Sequence, residues 1–345
     1  SVRYTTNKPP VASHFAPDIG EDYGTTFADN TKFDTLSYMV PPGGTTTDSN
    51  RGRGILFGGQ SPGADSTIQY VQIQSLGNAI KFGALSANKS AVGAVASSTR
   101  AVSAGGYIAA NTNVIEYVTI ATTSKATDFG DLAEPKHWVQ GGGNQTRGIL
   151  AGGNADSPVG HTNTIEYITI ATAGNASNFG DIARKPSTSS GSAMNSSTRA
   201  VFGGGSDPSA ALYNTLEYVT IATTGNATDF GDMTDNKARY GGCSSSTRGI
   251  IGCGENPGIS NVITYITIAT TGNSVDFGDA TQAREDVAAV SNSIRGVFVG
   301  GQTPNNVNTM DYINIATTGN AQDFGDQTIL ADHVSGCSDS HGGIA

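Results

Sequence analysis

Five histidines, three cysteines and a single tryptophan carry most of the chemical potential of this 345-residue chain, and their spacing limits what they can do. His14, His137, His161, His333 and His341 show no His-x-x-x-His or comparable metal-ligand spacing, so neither a metal centre nor a cofactor is expected. Cys243, Cys253 and Cys337 are an odd, low count that does not point to a disulfide framework. Asp-Phe-Gly stands at 128–130, 229–231, 276–278 and 323–325. In protein kinases that triplet holds Mg2+. Here it recurs at regular intervals with no glycine-rich or catalytic loop, which makes it a structural mark. Two Asp on one strand, such as Asp229 and Asp232, fall short of the roughly six to eight oxygens that Ca2+ gathers. Glu134, Asp235, Glu285, Asp286 and Asp332 are the only obvious supply for a carboxylate pair of the kind that hydrolyses glycosidic bonds. Trp138 is the sharpest single candidate. Exposed, its ring would stack on a sugar; buried, it would pack between structural elements.

The composition describes the frame that must position these groups. Gly is 46 of 345 residues, against an average share of about 7 %, and charged residues are 14 %, against about 25 %. High glycine, low charge and short apolar runs point to an all-β protein full of turns. Glycine has no three-residue period, which excludes collagen. With 37 % hydrophobic residues the chain also lacks the composition of a disordered one. The net charge of −10, with 19 basic residues scattered along the chain, argues against a nucleic-acid partner. No run of about 18 apolar residues exists, so no membrane insertion is expected.

Internal repeats govern the reading. Arg53-Gly-Ile-Leu-Phe-Gly-Gly59 recurs from Arg100, Arg147, Arg199, Arg248 and Arg295, and Ser340-His-Gly-Gly-Ile-Ala345 reads as a seventh, shortened copy. An alternating run follows each complete copy, centred on Tyr70, Tyr117, Tyr167, Tyr218, Tyr265 and Tyr312. Twelve residues later comes Asp-Phe-Gly-Asp or a relic of it, centred on Phe82, Phe129, Phe179, Phe230, Phe277 and Phe324. Between them lies a near-constant Thr-Thr-Gly-Asn turn. With a small-residue strand such as Gly241-Gly-Cys-Ser-Ser245 in front, each unit reads as four antiparallel strands, one blade of a β-propeller. Phe33 aligns with the outer-strand Phe of the other units, which suggests seven blades: about 37–85, 86–132, 133–182, 183–233, 234–280 and 281–327, and a last one, 328–345, completed by the N-terminal segment. Residues 1–32 are then an outer strand of the closing blade or an extended arm. The repeated Tyr and Phe should pack between sheets, and the repeated Arg should pair with the Asp after Phe-Gly. Cys243 and Cys337 fall at equivalent positions two blades apart, too far for a disulfide.

The order of small strand, apolar strand closed by Gly-Gly, Tyr strand and aromatic residue resembles the kelch-type propeller repeat. The Gly-Gly pairs at 58–59, 105–106, 152–153, 203–204 and 300–301 carry the likeness. Blade five departs from it with Gly252-Cys-Gly254, and Phe stands where kelch repeats usually carry Trp. The wording Tyr-Ile-Thr-Ile-Ala-Thr-Thr-Gly-Asn-Ala-x-Asp-Phe-Gly-Asp is similar to repeats in virion structural proteins of marine bacteriophages, especially those infecting cyanobacteria. That resemblance, over about residues 33–345, implies an extracellular virion setting in a capsid, tail or fibre, many copies, and other virion proteins as partners. The Tyr, Cys and His set of galactose oxidase and the sialidase box have no counterpart here.

Function should lie where the repeats differ. The variable loops run roughly over 60–66, 107–113, 154–163, 205–214, 255–261 and 302–308, and over 86–90, 133–138, 183–189, 234–240, 281–286 and 328–333. Both sets share one face in such a ring, and they include Lys136, Arg184, Arg284 and Asp332. Aromatic and Arg side chains are typical binding anchors, so the expected ligand-binding set is Trp138, His137, Tyr107, His161, Tyr213, Arg239, Tyr240 and His333. The resulting expectation is a non-enzymatic virion protein that attaches to a host-surface glycan or protein. A polysaccharide depolymerase built on the loop acids, or a pure assembly module, is the alternative.

Overall fold

The computed structural model describes residues 52–184 and 193–344. Among them there is no helix, and six four-stranded antiparallel sheets form the blades of a β-propeller. Blade two runs, inner to outer, Gly93–Ala96, Arg100–Ala104, Val114–Thr119 and Thr127–Asp131. Blades three to six repeat that order from the inner strands Gln140–Gly143, Met194–Asn195, Gly241–Ser244 and Ala288–Ser291. Blade one takes Arg53–Phe57, Thr67–Gln72 and Ile80–Ala84 from the start of the described chain and its inner strand, Ser335–Ser338, from the far end.

Among the described residues the expected seventh blade does not form. Ser335–Ser338 has no strand after it to pair with. It lies instead on the inner edge of Arg53–Phe57, with Ile55 opposite Cys337, and pairs backbone groups that would otherwise be left bare. The supposed second strand from Ser340 is a turn. Gly343 N–H donates to His341 Nδ1 at 3.0 Å, leaving His341 Nε2 to donate to Ala96 O at 3.2 Å, and Gly342 N–H donates to Ser244 O at 3.0 Å. These residues are buried against the channel lined by the inner strands. The blade count among the described residues is therefore six. Phe33, the segment 1–32 and the boundary at 37 lie outside those residues.

The repeated residues join neighbouring blades. In all six, Tyr and Phe rings meet edge to face with centroids 5.9–6.1 Å apart. Each repeated Arg lies 4.2–4.7 Å over the Tyr ring of its own blade. Its Nη1 donates to a carbonyl of the next blade, from Arg53 to Ile120 O at 2.7 Å round to Arg295, which reaches Gln74 O of blade one at 2.9 Å. The ion pair expected between these Arg and the Asp after Phe-Gly is absent among the described residues. Register explains it: Arg53 stands opposite Gln72, and the residue two along on the same face is Tyr70.

The near-constant turn is a latch. Asp131 N–H donates to Asn175 Oδ1 at 3.1 Å, and Gly174 N–H to Phe129 O at 2.6 Å. The same contact recurs from blade to blade, ending with Asn78 of blade one and Asp326 of blade six. The Gly of Asp-Phe-Gly is the socket: Gly278 has φ +146°, and a Cβ there would come within 2.6 Å of the Gly319 backbone. Gly278→Ala is expected to lower stability by about 2–3 kcal/mol, through strain and lost docking together. Gly319→Ala, with φ +151° but open space around its Cβ, should cost only about 1–2 kcal/mol. Thermal midpoints of the two variants check the order.

A second link ties the loops to the sheets. Lys89 pairs with Glu116, and Lys136 with Glu166, both at 2.7 Å and fully buried, and Arg284 pairs with Asp311 in the same place in blade six. Each cation comes from the loop entering a blade and each carboxylate from that blade's third strand. Thr264 stands in the carboxylate position of blade five, and Lys237 donates there to Val262 O at 3.2 Å. Lys136, Arg284 and their equivalents are thus structural and do not face a ligand. The three cysteines are free and buried, and burial pushes the Cys243 thiol up to about 12.

Candidate functional site

Among the described residues, the loops entering five of the blades share a fixed backbone register. Two residues before the inner strand, Ala91, Trp138, Arg239, Asp286 and His333 all adopt the left-handed conformation, with φ between 52° and 58°. The next residue, Val92, Val139, Tyr240, Val287 or Val334, is buried as an apolar anchor. Backbones at the left-handed positions hydrogen-bond between adjacent blades: Ala91 N–H donates to His333 O at 3.0 Å, Trp138 N–H to Ala91 O at 2.8 Å and Asp286 N–H to Arg239 O at 2.9 Å. The residue before each of them bridges to the loop between the second and third strands, as in Ser90 with Tyr107 and His137 with Asn154. Both loop sets therefore share one face.

One side of the mouth is aromatic. The Trp138 ring lies 4.3 Å from His137 and is stacked on His333 at 6.0 Å, and His137 meets Tyr107 at 5.3 Å. Tyr107 is the outermost, 42 % exposed. Burial pulls the His137 pKa down to about 4, so the ring is neutral at pH 7. Its Nδ1 lies 2.6 Å from Asn111 Oδ1, an acceptor, which fixes the proton on Nδ1.

The other side is charged. Arg239 reaches Glu285 Oε1 and Asp286 Oδ2, each at 3.3 Å, and Glu255 Oε2 at 3.5 Å. His333 lies between two carboxylates, Nε2 at 3.4 Å from Asp286 Oδ1 and Nδ1 at 3.2 Å from Asp332 Oδ2. Asn306 Nδ2 donates to Asp332 Oδ1 at 3.0 Å. Burial raises the Asp286 carboxyl to about 6 against the pull of His333 and Arg239. Burial lowers the His333 imidazole, but the adjacent Asp332 and Asp286 carboxylates outweigh it and leave its pKa raised. Asp286, Asp332 and His333 bring one ligand atom each within 4.8 Å of one another, the spacing of groups able to hold a metal ion.

Of the eight residues expected to bind, the fold gathers Tyr107, His137, Trp138 and His333 by ring contact, and Arg239 through Asp286. His161 stands beside them, bridged to Asn154. Tyr213 stays in its own loop, its hydroxyl donating to Asp207 Oδ2 at 2.6 Å and its ring covered by Arg184 at 4.2 Å. Tyr240 is 0 % exposed, with its hydroxyl donating to Gly203 O at 2.7 Å, and so belongs to the core. The corresponding Val in other blades gives the reason: this is the anchor position. Asp286, Asp332 and Glu285 were grouped by sequence with a depolymerase chemistry, not with the aromatic set. Their place was nonetheless readable, because Ala91 and Trp138, then Arg239, Asp286 and His333, stand 47 residues apart. Neither the protein-family models nor the curated proteins gave any match to this chain.

Proposed function

We propose that the protein is a non-enzymatic attachment module, a propeller that presents the loop mouth to a ligand. The observation that carries this reading is the left-handed ring. A left-handed non-glycine residue costs about 1–2 kcal/mol, and glycine would occupy the position freely. A chain with 46 glycines keeps Trp138, Arg239, Asp286 and His333 there, four unlike side chains converging on one mouth. Strain retained at converging polar and aromatic groups is the mark of a site. Aromatic faces beside carboxylates and a guanidinium suit a sugar, whose CH faces stack and whose hydroxyls hydrogen-bond.

The setting rests on the wording of the repeats: we take the protein to be a virion component, in many copies, with other virion proteins on its opposite face and a host-surface glycan or protein at the mouth. The likeness to kelch repeats belongs to the same reading. The depolymerase alternative would draw on Asp286 and Asp332. Both carboxylates are buried with His333 between them, which counts against that alternative. The test is binding of the purified chain to cyanobacterial cells and their extracted polysaccharides, with Trp138→Ala beside it and reducing ends assayed in the same tubes. Saturable binding, weakened at least about 10-fold in the variant, is the expected result, consistent with an aromatic anchor worth about 2 kcal/mol. New reducing ends would replace this reading by the enzyme. No binding by the folded chain would leave only an assembly role.

A further inference from the structure

We propose that Asp286, Asp332 and His333 hold one divalent transition-metal cation at the loop mouth. Atoms bound to a single ion at about 2.0–2.2 Å lie no more than about 4.4 Å apart. The three ligand atoms, already within 4.8 Å of one another, need to draw in by only a few tenths of an ångström. A second observation points to a missing cation. Asp286 Oδ1 is wholly buried and accepts no hydrogen bond; His333 Nε2, at 3.4 Å, is not aligned to give one. A buried carboxylate oxygen that accepts no hydrogen bond is costly, and an ion coordinated there removes that cost.

Charge agrees with geometry. Glu255, Glu285, Asp286 and Asp332 surround one guanidinium, Arg239, and one imidazole. With His333 neutral, as a ligand must be, the cluster has three negative charges in excess, which favours a divalent ion. The donor set chooses among ions: imidazole with two carboxylates suits zinc, cobalt, manganese or iron better than calcium or magnesium, which gather oxygens. Asp286 and His333 occupy equivalent left-handed positions of adjacent blades, so a rigid ring presents them, and Asp332 precedes His333 in the chain. This site does not depend on the attachment reading, although it adjoins it through the stacked Trp138 and His333 rings.

Metal titration of the full chain tests the proposal. After stripping with EDTA, the protein is titrated with Co2+ at pH 7.5, followed by its visible d–d absorption and by calorimetry, and Zn2+ is then added in competition. The expected result is one Co2+ per chain, displaced by Zn2+. His333→Ala and Asp332→Asn should each weaken binding about 100-fold or more, while their melts in EDTA remain cooperative. Should one of the two fail to fold, the other decides. Arg239→Gln removes a competing cation 3.3 Å from Asp286 and should tighten binding roughly 10-fold, which a structural role for the cluster would not produce. No uptake by the folded chain, or uptake that survives both the His333 and the Asp332 substitutions, overturns the proposal.

Discussion

A chain ended after Val334 is expected to lose its cooperative fold, because the strand removed is the inner wall of the first blade. Ser335–Ser338 covers Arg53–Phe57, where Ile55, Leu56 and Phe57 are each 0 % exposed. The lost strand takes Cys337 from the cluster that holds Ile55 and Phe57. Side chains of this size are worth roughly 1.5–3 kcal/mol apiece when fully buried, so even partial uncovering is a large share of the 5–15 kcal/mol that holds a typical domain together. Gly52 and Arg53 N–H groups also lose Asp339 Oδ1, at 2.6 and 3.0 Å. The bare edge is a template for pairing with a second molecule, so the truncated chain should elute as aggregate and show no sharp melt. A chain ended after Ser340 separates the strand from the plug behind it. It keeps Ser335–Ser338 and Asp339, loses His341 from the channel, and is expected to stay monomeric and melt within a few degrees of full length. If the Val334 truncation instead melted as a monomer at the full-length midpoint, the pairing across the chain ends would carry no stability.

The same strand shows why the blade count was not legible while the blade was. Alternation around Tyr70 or Tyr265, and the glycine punctuation, are local and dictate strand, turn and strand within one unit. A repeat has no beginning, however. Whether Ser335–Ser338 opens a new sheet or closes the first depends on a partner more than 270 residues away, and no local pattern encodes that choice. The expected seventh blade arose from giving the last strand a unit of its own. The Arg was misread for a related reason. In sequence the Asp after Phe-Gly is a counter-charge that recurs with the Arg, whereas in the sheet the guanidinium meets a Tyr face and a carbonyl of the next blade.

The site was half legible. Trp138, His137 and Tyr107 were found because aromatic residues in variable loops stand out. Tyr240 stood out equally and proved to be the buried anchor that is Val in four other blades. Superposing units resolves the two cases. At the anchor position the described residues are Val or Tyr; one position earlier they are Ala, Trp, Arg, Asp and His. A position whose backbone is constant and whose side chains are unlike is where a ring of equal blades can build an unequal site, since identical groups repeated around an axis cannot supply the different roles that recognition needs.

Two lysines in equivalent places should respond in opposite ways to the same substitution. Lys136→Met leaves Glu166 in a site where neither side chain exceeds 2 % exposure, with the Ala133 N–H as its remaining donor at 2.9 Å. Removing one partner of a buried pair typically costs about 3–5 kcal/mol. Adding Glu166→Leu should restore most of that loss, because the uncompensated charge goes with it. In blade five Lys237 has a carbonyl where Lys136 has a carboxylate, and burial lowers its pKa. Lys237→Met should therefore be neutral or stabilising. The pH dependence distinguishes the two lysines as well. In the unfolded chain Lys237 returns to about 10.4 and holds its proton more firmly than in the fold, so stability rises with pH through the window between the lowered value and 10.4. That rise should vanish in Lys237→Met. Urea melts of the four proteins between pH 7 and 10 measure both effects. Equal losses for Lys136→Met and Lys237→Met would mean that packing of the aliphatic stems, and not charge pairing, sets the value of these positions.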